Sequence, residues 1–184
     1  MTPNVVIKKC SDYVNEEVYK AVKESVDLLG GIGEFVKKGE RILLKPNLLS
    51  AKLPEAAVTT HPAVVRAVIK LVREVGAIPV VGDSPGIGNA KKVAQKCGIA
   101  AVAKELDVEV IDLATSVSVE NPYGKTFKRL EIAKEAIEVN GIINLPKLKT
   151  HAQMFLTLGV KNLFGCVVGA RKPQWHMAAG GDGG

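Results

Sequence analysis

The sequence predicts an α/β fold in which a mainly parallel sheet is flanked by helices. Short runs of Val, Ile and Leu alternate with amphipathic stretches of helical length, which is typical of βαβ units. The runs are apolar almost throughout, as in strands that are covered on both faces. At 184 residues, of which 47% are apolar, the chain can bury a core without disulfide bonds. We therefore expect one α/β domain over residues 1–184.

Apolar runs and amphipathic stretches place the individual elements. Strands are predicted over residues 5–10, 41–44, 78–82, 108–113 and 141–145. Helices are predicted over residues 15–29, 61–75, 89–105 and 133–139. Gly98 falls inside the third of these helices, where it could also split the helix in two.

The last third of the chain departs from this rhythm. Residues 116–132 alternate in polarity on both sides of an Asn-Pro-Tyr-Gly turn, which predicts a small β-hairpin inserted beside the sheet. Residues 153–164 favour a helix, although Gly159 is unfavourable inside one. The chain ends on Gly-Gly-Asp-Gly-Gly, so we expect residues 177–184 to be flexible and residues 1–184 to be the amino-terminal part of a longer domain.

The positive charge of the chain is concentrated near its carboxyl end. The sequence has 25 Lys and Arg against 19 Asp and Glu, for a net charge of +6. No carboxylate lies between Glu138 and Asp182, a stretch that contains five Lys and Arg. This stretch should attract an anionic ligand or partner, such as an anionic small molecule. Nucleic-acid binding is disfavoured, because aromatic residues make up only 4% of the chain and no known nucleic-acid-binding module occurs.

Targeting signals and cysteines limit the other classes of function. The amino terminus has no secretory signal, and no run approaches the roughly 20 apolar residues that cross a bilayer. We therefore expect a cytoplasmic protein that does not associate with a membrane. Cys10, Cys97 and Cys166 are far apart and include no Cys-x-x-Cys pair, so the chain should have neither a disulfide scaffold nor the ligands of an iron-sulfur cluster.

Polar residues follow three of the predicted strands. Lys45 and Asn47 follow the second strand, Asp83 and Ser84 the third, and residues 146–151 the last. In an open α/β sheet the ligand site lies beyond the carboxyl ends of the strands. We expect these residues to share one edge of the sheet, although turns and helix caps remain alternative explanations for each group.

The strongest local signal is the segment Asn-Leu-Pro-Lys-Leu-Lys-Thr-His over residues 144–151. If the chain stays extended, Lys147, Lys149 and His151 project to one side, because side chains alternate along a strand. Crowded cations cost free energy unless an anion compensates them. A lysine beside other cations also loses its proton more readily, which suits acid or base chemistry.

Two further groups complete the candidate site. Thr60 or His61 can cap the helix that begins near Pro62. Lys161 and Asn162 lie in an otherwise apolar stretch, where the lysine could simply extend to solvent. A mixed site for a divalent metal is a separate possibility, although the spacing matches no ligand motif; its ligands would be His61, Asp83, His151 and His176.

These motifs together resemble a known family. Lys-Pro-Asn, Thr-His-Pro, Gly-Asp-Ser-Pro-Gly, Asn-Leu-Pro-Lys-Leu-Lys-Thr-His and Val-Lys-Asn-Leu-Phe-Gly occur in this order, and the series resembles the domain-of-unknown-function family 362 over nearly the whole chain. Many proteins of that family carry a ferredoxin-like cysteine-rich module and are described as iron-sulfur-centre proteins. The resemblance implies a redox setting and a ferredoxin-like module or iron-sulfur partner. It implies a cluster in longer members that this chain does not itself ligate. The positions that match the family motifs are Lys45, Asn47, Thr60, His61, Asp83, Ser84, Lys147, Lys149, His151, Lys161 and Asn162.

Two hypotheses of function follow, and the sequence leaves open whether the chain is an enzyme. In the first, the edge of the sheet binds an anionic small molecule or cofactor in a redox process; Lys147, Lys149 and His151 bind it or exchange protons, and Asp83 acts as a base. Lys45 and Asn47 would orient this ligand. In the second, the four candidate metal ligands hold a divalent metal, or the surface serves iron-sulfur assembly or docking.

Overall fold

The computed structural model describes residues 4–86, 88–125, 127–151, 155–168 and 175. The helices are α1 (Asn15–Asp27), α2 (Pro62–Glu74), α3 (Ala90–Lys96), α4 (Ile99–Glu105), α5 (Lys134–Ile137) and α6 (Gly159–Leu163). The strands are β1 (Arg41–Pro46), β2 (Ile78–Asp83), β3 (Val110–Asp112), β4 (Ser116–Glu120), β5 (Arg129–Ala133), β6 (Gly141–Leu145), β7 (Lys149–His151) and β8 (Phe155–Thr157). Short 3-10 helices cover Ile32–Glu34, Pro54–Ala56 and Phe164–Cys166.

The main sheet is parallel throughout and has the strand order β3-β2-β1-β6. Leu43 of β1 lies opposite Val80 of β2 on one side and Ile142 of β6 on the other. The chain leaves β1 through α2 to build β2 and β3, and it returns later to place β6 on the opposite side of β1. The predicted α/β class is confirmed, and the strand order reverses direction between β1 and β6.

Apolar side chains cover both faces of this sheet. On one face, Ile42 and Leu44 pack against α2, α3 and α4, which contribute fully buried residues such as Val65 and Ile69. On the other face, Leu43 packs with Ala136 of α5 and other apolar residues. Burying one such side chain stabilises a fold by about 1.5–3 kcal/mol. The two cores fix β1 at the centre of the molecule, so polar groups at its carboxyl end have a rigid support.

The hairpin and the break at Gly98 agree with the sequence. β4 and β5 pair antiparallel from Ser116 opposite Ala133 to Glu120 opposite Arg129. The predicted helix over residues 89–105 is two helices, α3 and α4. Gly98, which lies between them, has a φ of +83° and interrupts the helical backbone. Glycine adopts this left-handed conformation without the steric cost that a side chain adds.

Two predicted elements are wrong. Residues 5–10 form no strand; most of them are exposed, with Ile7 90% exposed and Lys8 paired to Glu24 at 2.7 Å. No described strand pairs with this segment, and β propensity does not make a strand without a ladder partner. The helix predicted for residues 153–164 begins only at Gly159, because Phe155–Thr157 pairs antiparallel with β7.

Some predictions concern residues outside the described part of the chain. Residues 153 and 154 of the predicted helix and the glycine-rich end over residues 177–184 belong to this group. Among the residues that the structure does describe, none of the helices is long and apolar enough to cross a lipid bilayer.

Candidate functional site

The candidate site lies at the carboxyl ends of β1 and β6. These strands are neighbours, and Lys45 of β1 is in register with Asn144 of β6. The strand order reverses at this pair, and in open α/β sheets such a reversal opens a crevice where ligands bind. The topology therefore brings the polar residues after both strands to the position where a ligand site is expected.

A buried ion pair forms the floor of the site. Lys45 is completely buried, and its Nζ lies 2.7 Å from Oδ1 of Asp83, which is 4% exposed. The other carboxylate oxygen, Oδ2, accepts the backbone N–H of Leu48 at 2.8 Å. Gly165 lies directly above the pair, because a Cβ built at this residue would be 2.5 Å from Lys45 Nζ and closer still to Asp83 Oδ1. The structure thus places Lys45 and Asp83 below the surface of the site.

A network of asparagine side chains lies beside this ion pair. Asn162 is 2% exposed, and its Nδ2 donates to the carbonyl of Lys45 at 3.1 Å and to Asn144 Oδ1 at 2.8 Å. Its Oδ1 accepts Asn47 Nδ2 at 2.9 Å. Asn144 in turn donates to the carbonyl of Gly159 at 2.8 Å. Side chains from β6, from α6 and from the residue after β1 are therefore held in one fixed arrangement.

Lys149 joins this network from β7. Its half-buried ammonium group donates to Asn47 Oδ1 and to the carbonyl of Val58, each at 2.6 Å. Burial lowers the pKa of Lys149 to about 8 against the weaker opposing effect of Asp83, and Lys147 and Lys161 lower it further. A lysine with this pKa exchanges its proton near neutral pH.

Other cations surround Lys149. Lys161 is half-buried, and burial lowers its pKa, as does the charge of Lys45. Burial also lowers the pKa of His151, followed by the charges of Lys161 and Lys149. We refer to Lys147, Lys149 and Lys161, with the asparagine network that Lys149 joins, as the cationic site.

Thr60 and His61 contribute in different ways. Thr60 Oγ1 accepts the N–H of Asn47 at 2.8 Å and donates to the carbonyl of Leu145 at 2.6 Å, so it ties the end of β6 to the residue after β1. His61 caps α2, with its Nδ1 accepting the N–H of Ala63 at 3.2 Å. Of the two caps that the sequence allowed, the structure therefore uses His61.

An aromatic contact covers His61 at the edge of the site. The ring of Tyr13 stacks on the imidazole with 3.7 Å between centroids, and the phenol oxygen lies 3.4 Å from Lys147 Nζ. Burial lowers the pKa of His61, and the charge of Lys147 lowers it further, against an opposing effect of Glu55. The segment before α1 thus contacts the cationic site.

The alternation predicted for residues 147–151 is present. Lys147, Lys149 and His151 are half-buried, whereas Leu148 and Thr150 between them are exposed. Lys147 contacts Tyr13, and Lys149 contacts Asn47. The three side chains therefore share the less exposed side of the segment, and the two lysines reach different neighbours.

Comparison with known proteins identifies the family. The chain matches the family described as Domain of unknown function (DUF362) over residues 42–182. The chain belongs to this family. It is also 41% identical over 182 residues to the thylakoid-associated protein sll1697 of Synechocystis sp. (strain ATCC 27184 / PCC 6803 / Kazusa). That alignment covers 99% of this chain and 56% of the relative, so the chain spans little more than half of the relative's length. No solved structure matches the chain significantly.

These matches do not test several of the expectations that come from the sequence. The DUF362 description names no reaction or cofactor, so the iron-sulfur setting stays a prediction. The name of the relative associates that protein with the thylakoid, and a cytoplasmic location for this DUF362 chain also stays a prediction.

The described part of the chain contains no cluster of ligands that supports the hypothesis of a metal site. Within it, no three or more His, Cys, Asp or Glu side chains come together in a group that could hold a metal ion. Asp83 is engaged with Lys45 and Leu48, and His61 caps α2. His176, the fourth predicted ligand, lies outside the described residues.

Some residues of the site were missed by sequence reasoning. Asn144 opens the segment over residues 144–151, but its predicted place is inside a strand; a polar side chain in that otherwise apolar run is the signal that could have marked it. Gly165 closes the motif Val-Lys-Asn-Leu-Phe-Gly, whereas Tyr13 has no local signal; the roles of both depend on contacts with residues distant in the chain. Ser84, which was predicted, lies half-buried directly after β2.

Proposed function

We propose that this DUF362 chain binds a small anionic molecule, bearing a carboxylate or a phosphate, at the cationic site. The observation that carries this proposal is an excess of partly buried positive charge. Asp83 compensates Lys45, whereas Lys149 and Lys161 form no salt bridge with any described residue. Burying a charge without a partner costs free energy, which a bound anion would offset.

The geometry of the donors supports the same conclusion. Lys149 is held by two neutral acceptors, Asn47 and Val58, so its charge is oriented without being neutralised. Lys161 enters from α6, and Lys147 from the segment after β6. The charges of Lys147 and Lys161 lower the pKa of Lys149, so the three groups act on one another. Ammonium groups with this mutual effect suit a compact anion, which accepts several charge-assisted hydrogen bonds.

The ion pair and the asparagines have a supporting part in this proposal. Lys45 is too deeply buried to contact a ligand in this conformation, and Asp83 is occupied by Lys45 and by the N–H of Leu48. Asn47 orients Lys149, and Asn162 in turn holds Asn47. The redox setting that the family resemblance implies stays a prediction, because no contact in the site bears on it.

Isothermal titration calorimetry with phosphate and with sulfate tests this proposal. We expect Lys149→Met and Lys161→Met each to weaken anion binding about tenfold or more, since a charge-assisted hydrogen bond contributes about 1.5–3 kcal/mol. Lys91→Met is the matched control, because Lys91 is an exposed lysine of α3. The proposal fails if neither anion binds the wild-type chain, or if the control weakens binding as much as the site variants do.

A further inference from the structure

The hydrogen bonds of Lys149 leave one direction at its nitrogen unused. A lysine ammonium has three N–H donors. In the described part of the chain, two of them reach acceptors, namely Asn47 Oδ1 and the carbonyl of Val58. When the ammonium loses a proton, the neutral amine can keep both hydrogen bonds. Its lone pair then points along the third direction, away from the two acceptors.

The surroundings of Lys149 favour this neutral amine. The side chain is half-buried, and Lys147 and Lys161 act on it with like charge, whereas Asp83 offers only partial compensation. Burial and these charges lower the pKa of Lys149 to about 8. Lysines that are desolvated or placed beside other cations are the ones that enzymes use as amine nucleophiles. The lowered pKa of Lys149 thus favours the neutral amine, and its two hydrogen bonds fix the direction of the lone pair on that amine.

We propose that Lys149 condenses with an aldehyde or ketone that carries a carboxylate or a phosphate, forming an imine, while Lys147 and Lys161 bind the anionic group. This inference rests on the proposed function, since it takes the anion of the carbonyl compound as the group that the cationic site holds. It adds a substrate class, anionic carbonyl compounds, and a covalent role for one residue.

The proposed step balances without an oxidant or a reductant. The nitrogen lone pair of Lys149 forms a bond to the carbonyl carbon, and the π pair of the carbonyl moves to oxygen. The proton that nitrogen loses passes to this oxygen and gives a carbinolamine. A second proton shift from nitrogen to oxygen releases water as the carbon–oxygen bond breaks and the carbon–nitrogen double bond forms. One amine and one carbonyl thus give one imine and one water.

Reductive trapping tests the inference on the unmodified wild-type chain. The chain is incubated near pH 8 with glyoxylate and cyanoborohydride, and initial labelling rates are measured for each lysine by peptide mass spectrometry. Acetaldehyde serves as the neutral comparison, and phosphate as a competitor. We expect glyoxylate to label Lys149 more than about tenfold faster than the exposed Lys91, because each unit of pKa lowering raises the neutral fraction about tenfold. We expect phosphate to slow the labelling of Lys149 and not that of Lys91.

The Lys161→Met variant and the calorimetry together distinguish this inference from the proposed function. Lys161→Met should reduce the preference of Lys149 for glyoxylate over acetaldehyde, because it removes one of the groups that bind the anion. Equal labelling of Lys149 and Lys91, or the same preference for Lys149 with both aldehydes, overturns the inference. If phosphate binds in calorimetry while glyoxylate shows no preference, the imine is excluded and the proposed function stands. If phosphate and sulfate fail to bind, the proposed function fails as well.

Discussion

Lys45 and Asp83 form an ion pair with 2.7 Å between Nζ and Oδ1, and both side chains are almost completely buried. Each charge depends on the other, because neither could keep its hydration shell on folding. The pair also connects the ends of two neighbouring strands, since Lys45 belongs to β1 and Asp83 to β2. Its energetics therefore decide how firmly the floor of the cationic site is held.

Breaking this pair on one side should destabilise the protein strongly. We expect Lys45→Met and Asp83→Asn each to lower the free energy of unfolding by about 3–5 kcal/mol, because each leaves one buried group without its partner. The double variant should lose much less than the sum, since no charge is left and the new side-chain amide keeps an oxygen for the N–H of Leu48. Urea unfolding of the four proteins measures this coupling.

The comparison of these four proteins distinguishes an ion pair that only supports the fold from one that also contacts the ligand. If the two losses simply add in the double variant, the ion pair is not the source of the destabilisation. A double variant that unfolds near the wild-type free energy and still binds phosphate would show that Lys45 and Asp83 support the site without contacting the anion.

The close approach of Gly165 to this pair makes a second prediction. A methyl group at Gly165 would overlap Asp83 Oδ1 and Lys45 Nζ, which cannot move far because both are buried. We expect Gly165→Ala to lower the free energy of unfolding by about 1–3 kcal/mol, the usual cost of overpacking. Gly33→Ala is the control, since no atom of the described residues lies within 4 Å of a Cβ built there. Equal thermal stability of the two variants would show that the segment above the ion pair adjusts freely.

The sheet was predictable because its signal is local. The runs at 41–44, 78–82 and 141–145 are apolar enough to show strands that are covered on both faces, and all three lie in the sheet. The run at 5–10 is also rich in β-branched residues but pairs with none of the described strands. Composition reports what a strand can bury, whereas the ladder partner is decided by the whole fold.

The candidate site could likewise be predicted only in part. The alternation of Lys147, Lys149 and His151 could be predicted from an extended backbone, which fixes the direction of neighbouring side chains. The partners of those side chains could not. Pairing of Lys149 with Asn47, or of Lys45 with Asp83, depends on which segments become neighbours, and that order is set by the packing of the whole sheet.

Asn162 should prove important for both stability and binding. Asn162→Ala removes three side-chain hydrogen bonds and leaves the carbonyl of Lys45 without this donor, so we expect a loss of at least about 2 kcal/mol in the free energy of unfolding. Phosphate binding should weaken too, because Asn47 would no longer hold Lys149 firmly. Asn89→Ala is a matched control: this exposed asparagine accepts one bond from Lys92 N–H and should cost about 1 kcal/mol without changing affinity. Similar effects of the two variants on stability and affinity would contradict the network.

The lowered pKa of Lys149 makes stability depend on pH in a definite direction. The folded chain releases this proton near pH 8, whereas an unfolded lysine holds it up to about its ordinary pKa of 10.5. Unfolding therefore takes up a proton between these values, and the contribution of Lys149 to the free energy of unfolding rises with pH across that window. Below about pH 8 both states are protonated, so the unfavourable burial of the ammonium is present in full.

The other charged groups around Lys149 decide how this dependence is read. Lys161 has its own lowered pKa and contributes in the same direction, while Asp83 opposes the shift and Lys147 strengthens it. Comparison of wild type with Lys149→Met removes the contributions that the two proteins share. We expect the difference in unfolding free energy, wild type minus variant, to increase from about pH 7 to about pH 10 in urea titrations, and the same comparison with Lys91→Met to stay flat. A constant difference between wild type and Lys149→Met across this range would mean that Lys149 keeps an ordinary pKa, and with it the neutral amine near pH 8 would be lost.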